Sequence, residues 1–185
     1  IGGFGMASFF VFLAAASFVY TGFYGLSPTG FSLAFAVNAI GFFTASQFAA
    51  TIGERVGMVR MVVLATTGFT FFAFALLAIS LFGQPDFVTL VVMLVLANAC
   101  LGLVIPTAMV MALDDHGDMA GLASSLGGTL QMMAGAVMIA LASPFLDGTP
   151  RPMIAVIAIC AGAALVLAWL IVRRFQPAAQ AGAAE

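Results

Sequence analysis

Six neutral polar residues lie inside long apolar runs of this 185-residue chain: Tyr20, Asn38, Gln47, Asn98, Thr107 and Gln131. All can donate hydrogen bonds. Groups of this kind recognise a molecule rather than break its bonds, fixing the orientation of a body that aromatic area grips. Their simplest role is to join one helix to another, where an interhelical amide bond contributes ~0.6 kcal/mol and at most ~2.

Ionisable groups fall in the breaks between the runs. His116, the only histidine, stands among Asp114, Asp115 and Asp118. That set could ligate a metal, but charges in solvent at a helix end explain it better, with Asp118 capping the next helix. No metal or cofactor is expected. A proton relay needs Asp, Glu or His within a span, so coupling chemistry is expected outside this chain. An intramembrane serine protease would need a buried serine within reach of a histidine, which a loop position for His116 does not offer. Cys100 and Cys160 sit in apolar runs, where a thiol packs as a small hydrophobe.

The elements that position these residues follow from composition. Apolar residues make up 64% of the chain and charged ones 6%, against about one-quarter charged in a soluble domain. The solvent of most side chains must therefore be hydrocarbon. Lysine is absent and the net charge is −2, so neither a nucleic-acid surface nor a polybasic docking patch is present.

Crossing a ~30 Å hydrocarbon core takes about 20 apolar residues in a helix. Such windows fall at about 3–23, 31–52, 61–82, 87–112, 120–143 and 153–172. They are too long for ~10-residue barrel strands and lack their alternation. Short breaks separate them: Gly22 to Gly30, Glu54 to Arg60, Gly83 to Asp86, Asp114 to Asp118 and Asp147 to Pro152. The reading is an all-α membrane bundle over 1–175 followed by a disordered tail, 176–185. With no basic n-region and a first run that is one of six, the start is no signal peptide. Opening on Ile1 rather than Met, the chain is expected to continue upstream.

Arginines set the orientation, because positive loops stay cytoplasmic. Arg55, Arg60, Arg173 and Arg174 share one side and Arg151 the other. Both chain ends and the 54–60 and 113–119 loops are thus expected in the cytoplasm, across an inner (plasma) membrane. Phenylalanines crowd the first two spans, from Phe9 to Phe48, and most are expected to face lipid. Ala120, Ser124 and Gly128, with Gly121 and Ser125, form a small-residue stripe that lets helices approach closely. Pro106, behind Gly102, frees a backbone carbonyl and permits a kink in the fourth span.

Two stretches carry a family resemblance. Met111 to Thr129, an acidic loop running into Met119-Ala120-Gly121-Leu122-Ala123-Ser124-Ser125-Leu126, resembles the segment between the tenth and eleventh helices of bicyclomycin-resistance (Bcr/CflA) type exporters of the major facilitator superfamily. Phe18-Val19-Tyr20 and Phe35-Ala36-Val37-Asn38 look like that family's seventh and eighth helices. The loop Gly53 to Arg60 resembles the superfamily's cytoplasmic turn motif, carried here by Glu54, Arg55, Gly57 and Arg60, with Ala50, Met58 and Val59 departing from it.

The resemblance implies that the six spans are the C-terminal half of a twelve-helix protein, built as two inverted three-helix repeats, 1–83 and 84–185. It implies proton-coupled efflux of drugs or small apolar metabolites by alternating access, with an N-terminal six-helix half as partner and the proton gradient as energy source. It places the first, second, fourth and fifth spans at the cavity, and so Tyr20, Asn38, Phe42, Asn98, Pro106 and Gln131 as substrate-contacting candidates. Rival readings are a complete six-helix protein acting as a homodimeric carrier, and a facilitator for another small solute.

Overall fold

The computed structural model describes residues 1–114 and 119–181. Helix α1 spans Gly2–Ser17 and continues as a π-helical turn, Phe18–Phe23. Then come α2 (Pro28–Val56), α3 (Met58–Phe82), α4 (Phe87–Asp114), α5 (Ala120–Ala142) with a 3₁₀ turn at Ser143–Phe145, and α6 (Pro150–Ala181). No strand occurs among the described residues. Six helices are long and apolar enough to cross a membrane, each satisfying its backbone internally as a bilayer requires.

Local chemistry sets the ends. Ser27 caps α2, its Oγ accepting from the Gly30 N–H at 3.2 Å, with Pro28 at the first helical position. Ser27→Ala is expected to remove about 1 kcal/mol of stability, read as a lower melting midpoint in detergent. Asp86 caps α4 by accepting from the Thr89 N–H (3.1 Å) and hydroxyl (2.6 Å). These bonds hold its carboxyl below the usual carboxylate range. Asp147 does the same for Thr149, at 2.9 and 2.6 Å, ahead of α6.

One break is tighter than the sequence suggests. Residues expected as a loop over 54–60 are helical except for Gly57, whose φ of 91° lies where a side chain would be strained. Its N–H closes α2 on the Gly53 carbonyl at 2.9 Å, and its own carbonyl accepts from Met61 at 3.0 Å. A single glycine thus reverses the chain. Pro106 does not interrupt α4. Helix α6 runs through 176–181, where the sequence predicts a disordered tail; three of those six residues are alanine, the strongest helix former. Residues 182–185 and the loop positions Asp115, His116 and Asp118 lie outside the described residues.

Successive helices run in opposite directions, so α1, α3 and α5 start at the Ile1 end and α2, α4 and α6 at the Tyr24 end. The extensive packing partners are α2 with α4, α3 with α4, α1 with α5, α3 with α6 and α1 with α6. Exchanging α1, α2 and α3 with α4, α5 and α6 returns the same set: α2–α4 becomes α5–α1, α3–α4 becomes α6–α1, and α3–α6 maps onto itself. Because α1 and α4 are antiparallel, this is the packing of two inverted three-helix repeats.

Core and open faces obey the same exchange. Phe12, Tyr20, Phe69, Leu76, Leu94, Leu101, Met153 and Ile154 anchor the main core, drawn from α1, α3, α4 and α6. By contrast α2 and α5, equivalent under the exchange, are only 17% and 11% buried along their spans, against 50% for α1. The second helix of each repeat leaves most of its surface open.

Glycine enables the closest approaches. A Cβ on Gly102 of α4 would run into the Phe42 carbonyl of α2, and one on Gly41 would sit 2.9 Å from Val95 Cγ1. In the equivalent α1–α5 pair, Gly135 lies against the Phe10 ring. The expected stripe on α5 behaves otherwise, since Gly121 and Gly128 have open space where a Cβ would go.

Candidate functional site

Three of the residues singled out from the sequence come together inside the bundle. Asn98 Nδ2 of α4 donates to Asn38 Oδ1 of α2 at 3.1 Å, and Asn38 Nδ2 donates to the Ala34 carbonyl at 3.2 Å. Both amides are buried. Tyr20, on the π-helical turn, is fully buried with its hydroxyl close to the Asn38 amide, yet it completes no hydrogen bond among the described residues. A buried polar group normally finds a partner, so this hydroxyl stands out.

Rings surround the tyrosine. Tyr20 meets Phe87, Phe31 and Phe12 edge-on at centroid distances of 5.4, 6.1 and 6.5 Å. Phe12 stacks on Phe35 at 6.1 Å and Phe9 on Phe42 at 5.2 Å. These rings span α1 and α2, whose backbones do not approach closely. Most phenylalanines of the first two spans therefore do not face outward: Phe12 is buried, and Phe9, Phe10, Phe31, Phe35 and Phe42 are half-buried. Stacked and edge-on pairs, worth ~0.5–1.5 kcal/mol beyond their area, draw them inward. Phe18, Phe23, Phe43 and Phe48 are exposed.

At the Tyr24 end the loops are tied together. The Tyr24 phenol donates to the Pro85 carbonyl at 2.6 Å, joining the 24–27 turn to the 83–86 turn. Burial and the neighbouring Asp86 carboxylate raise its pKa, keeping the donor protonated.

Gln131 lies elsewhere. It borders a cavity of about 940 Å³ at the Ile1 end, enclosed by the starts of α1 and α3, the end of α4 and the middle of α5. Gly2, Met58, Arg60, Met109, Met111 and Gly127 are among its walls. The wall is predominantly apolar, with the Gln131 amide and the exposed Arg60 guanidinium as its polar handles. This space takes a drug-sized molecule by volume. Its residues come from all six helices and, apart from Gln131 and Arg60, are small or apolar, so no single stretch of sequence marks it.

The remaining candidates fall between these places. Phe42 offers its carbonyl to the Gly102 approach, and Pro106 is half-buried one turn further along α4. Gln47 is exposed, and the Thr107 hydroxyl turns back to the Leu103 carbonyl at 2.8 Å. Glu54, Arg55 and Arg60 form no ion pair among the described residues, so Gly57 alone makes the turn. Cys100 and Cys160 are free thiols, and the described residues hold no cluster of metal-ligating side chains.

A bundle of six membrane-length helices in two inverted repeats defines a multi-pass membrane protein. The chain is similar to the uncharacterised MFS-type transporter YdgK of Bacillus subtilis (strain 168), with 29% identity over 133 residues that cover 70% of this chain and 32% of the relative. The likeness supports a membrane transporter of the MFS type. The matched region spans about a third of that relative's length. No family model matches the chain, and no solved structure matches it.

Proposed function

We propose that this chain is the C-terminal six-helix half of a major facilitator exporter of the bicyclomycin-resistance type, carrying small apolar molecules outward by alternating access at the expense of a proton gradient. The observation that carries the reading is the helix pairing that survives exchange of its two three-helix units. Inverted repeats of this kind let a bundle rock about a midplane site, and the likeness to an MFS-type transporter agrees with it.

The open faces of α2 and α5 supply the surface for an N-terminal half, which would also hold the ionisable coupling groups that these spans lack. Arginine placement puts the Ile1 end, with its cavity, in the cytoplasm of a cell whose inner membrane the protein crosses. The cavity then opens toward the compartment from which an exporter collects its cargo, and its apolar wall with an amide and a guanidinium suits neutral or weakly polar aromatic compounds.

The test is export of a lipophilic dye from energised cells expressing the whole transporter. Efflux is expected to stop when a protonophore collapses the gradient. Ala108→Trp, which narrows the cavity, is expected to slow export by about tenfold, the equivalent of ~1.4 kcal/mol, at unchanged membrane abundance. Export indifferent to the protonophore would remove the proton coupling, and normal export by the tryptophan variant would remove the cavity from the pathway.

A further inference from the structure

Two unfavourable features share one turn. Phe18–Phe23 is π-helical, a geometry that occurs as single turns and often at working sites. Within it lies Tyr20, fully buried with an unpartnered hydroxyl. Strain of this sort persists only where the surroundings hold it in place.

The restraints are identifiable. Upstream, α1 is gripped by α5 and α6. Downstream, the wide turn is closed by the Tyr24 N–H on the Val19 carbonyl (3.1 Å) and the Leu26 N–H on the Tyr20 carbonyl (3.0 Å). Between them Thr21, Gly22, Phe23 and Gly25 are exposed, and a Cβ on Gly22 or Gly25 would meet nothing. The exposed stretch is tied to the rest of the bundle by the Tyr24 phenol on the Pro85 carbonyl and by the Tyr24 ring against Phe87 at 5.4 Å, and Leu26 beyond it packs against the main core. Phe87 is also a wall of the Tyr20 box.

We propose that Phe18–Leu26 is a movable gate at the Tyr24 end, latched shut here by the Tyr24–Pro85 hydrogen bond, and that it opens by relaxing from π- to α-helix. Removing the extra residue from the turn rotates the downstream segment by about 100° about the helix axis. Because α1 is fixed, the exposed part turns. Tyr24 then leaves Pro85 and Phe87, and water reaches the Tyr20 hydroxyl. The gate's use in transport rests on the exporter reading, but its motion does not.

The experiment is labelling of a cysteine at Val19 by a membrane-impermeant maleimide, in membranes carrying the full chain with Cys100 and Cys160 replaced by alanine. Val19 is buried, so labelling reports opening. Tyr24→Phe removes only the latch and is expected to raise the labelling rate several-fold. Tyr20→Phe removes the group that gains from opening and is expected to lower it. A cysteine at Ala16, one turn deeper and also buried, is expected to stay unlabelled in both. Equal rates in all variants, a rise in both tyrosine variants, or labelling at position 16 that tracks position 19 would each overturn the gate. Since no step requires transport, a failed dye assay beside opposite shifts would reject the exporter and keep the gate.

Discussion

Gly102→Val is expected to be the most damaging single substitution in the bundle. The added side chain would meet the Phe42 carbonyl, and behind it the Ala45 methyl at 3.2 Å, on a helix that cannot move away without losing the Asn38–Asn98 bond. Overpacking typically costs 1–3 kcal/mol, and more where backbone is the obstacle, so roughly 3 kcal/mol or more is expected here. For a chain of this size that is a fall of about 6 °C or more in melting midpoint. Gly83→Val is the control, because that position is extended and has open space around it. Similar melting of the two variants would mean that α2 and α4 do not meet at Gly102.

The second large effect concerns the buried amides. Asn98→Leu leaves Asn38 Oδ1 without its donor, and Asn38→Leu strands Asn98 in the same way. An unsatisfied buried amide costs ~1–3 kcal/mol, so each single variant is expected to melt well below the parent. The double variant replaces the pair with apolar groups and is expected to lose less than the sum of the two, by ~1 kcal/mol, within the range of interhelical bonds in membranes. Strictly additive losses would show that the amides do not act as a pair.

The same amides mark how far reading residues can go. Tyr20, Asn38 and Asn98 attract notice as polar groups in apolar runs, and they do converge. The sequence reading made them cavity-lining candidates; in the structure all three are buried, with Tyr20 among the rings of Phe12, Phe31 and Phe87. Gln131, chosen on the same grounds, borders a cavity at the opposite end. Nothing in the local pattern around these residues separates the two outcomes. In a helix that meets lipid on one side and protein on the other, both faces are apolar, so periodicity carries little information about which face packs.

Turns were only partly legible. Short breaks rich in Gly, Pro and Asp were visible as breaks, but the span from Glu54 to Arg60 contracts to Gly57 because one positive-φ residue suffices to reverse the chain. The π-helical turn had no signature at all. It depends on contacts of Tyr20 and Tyr24 with Phe31, Pro85 and Phe87, residues up to 67 positions along the chain from Tyr20.

By itself the sequence determined that this chain crosses a membrane six times as helices, since 64% apolar residues in windows of about 20 leave no other way to satisfy the backbone in hydrocarbon. Tertiary structure alone decided which helices pair, that the pairing is preserved when the two halves are exchanged, and that α2 and α5 keep their faces open. The physical reason is that lipid and protein interiors are almost equally apolar. Helix choice is then made by shape, by where a glycine admits a neighbour's carbonyl or an amide finds its partner, and such matches appear only when distant segments are brought together.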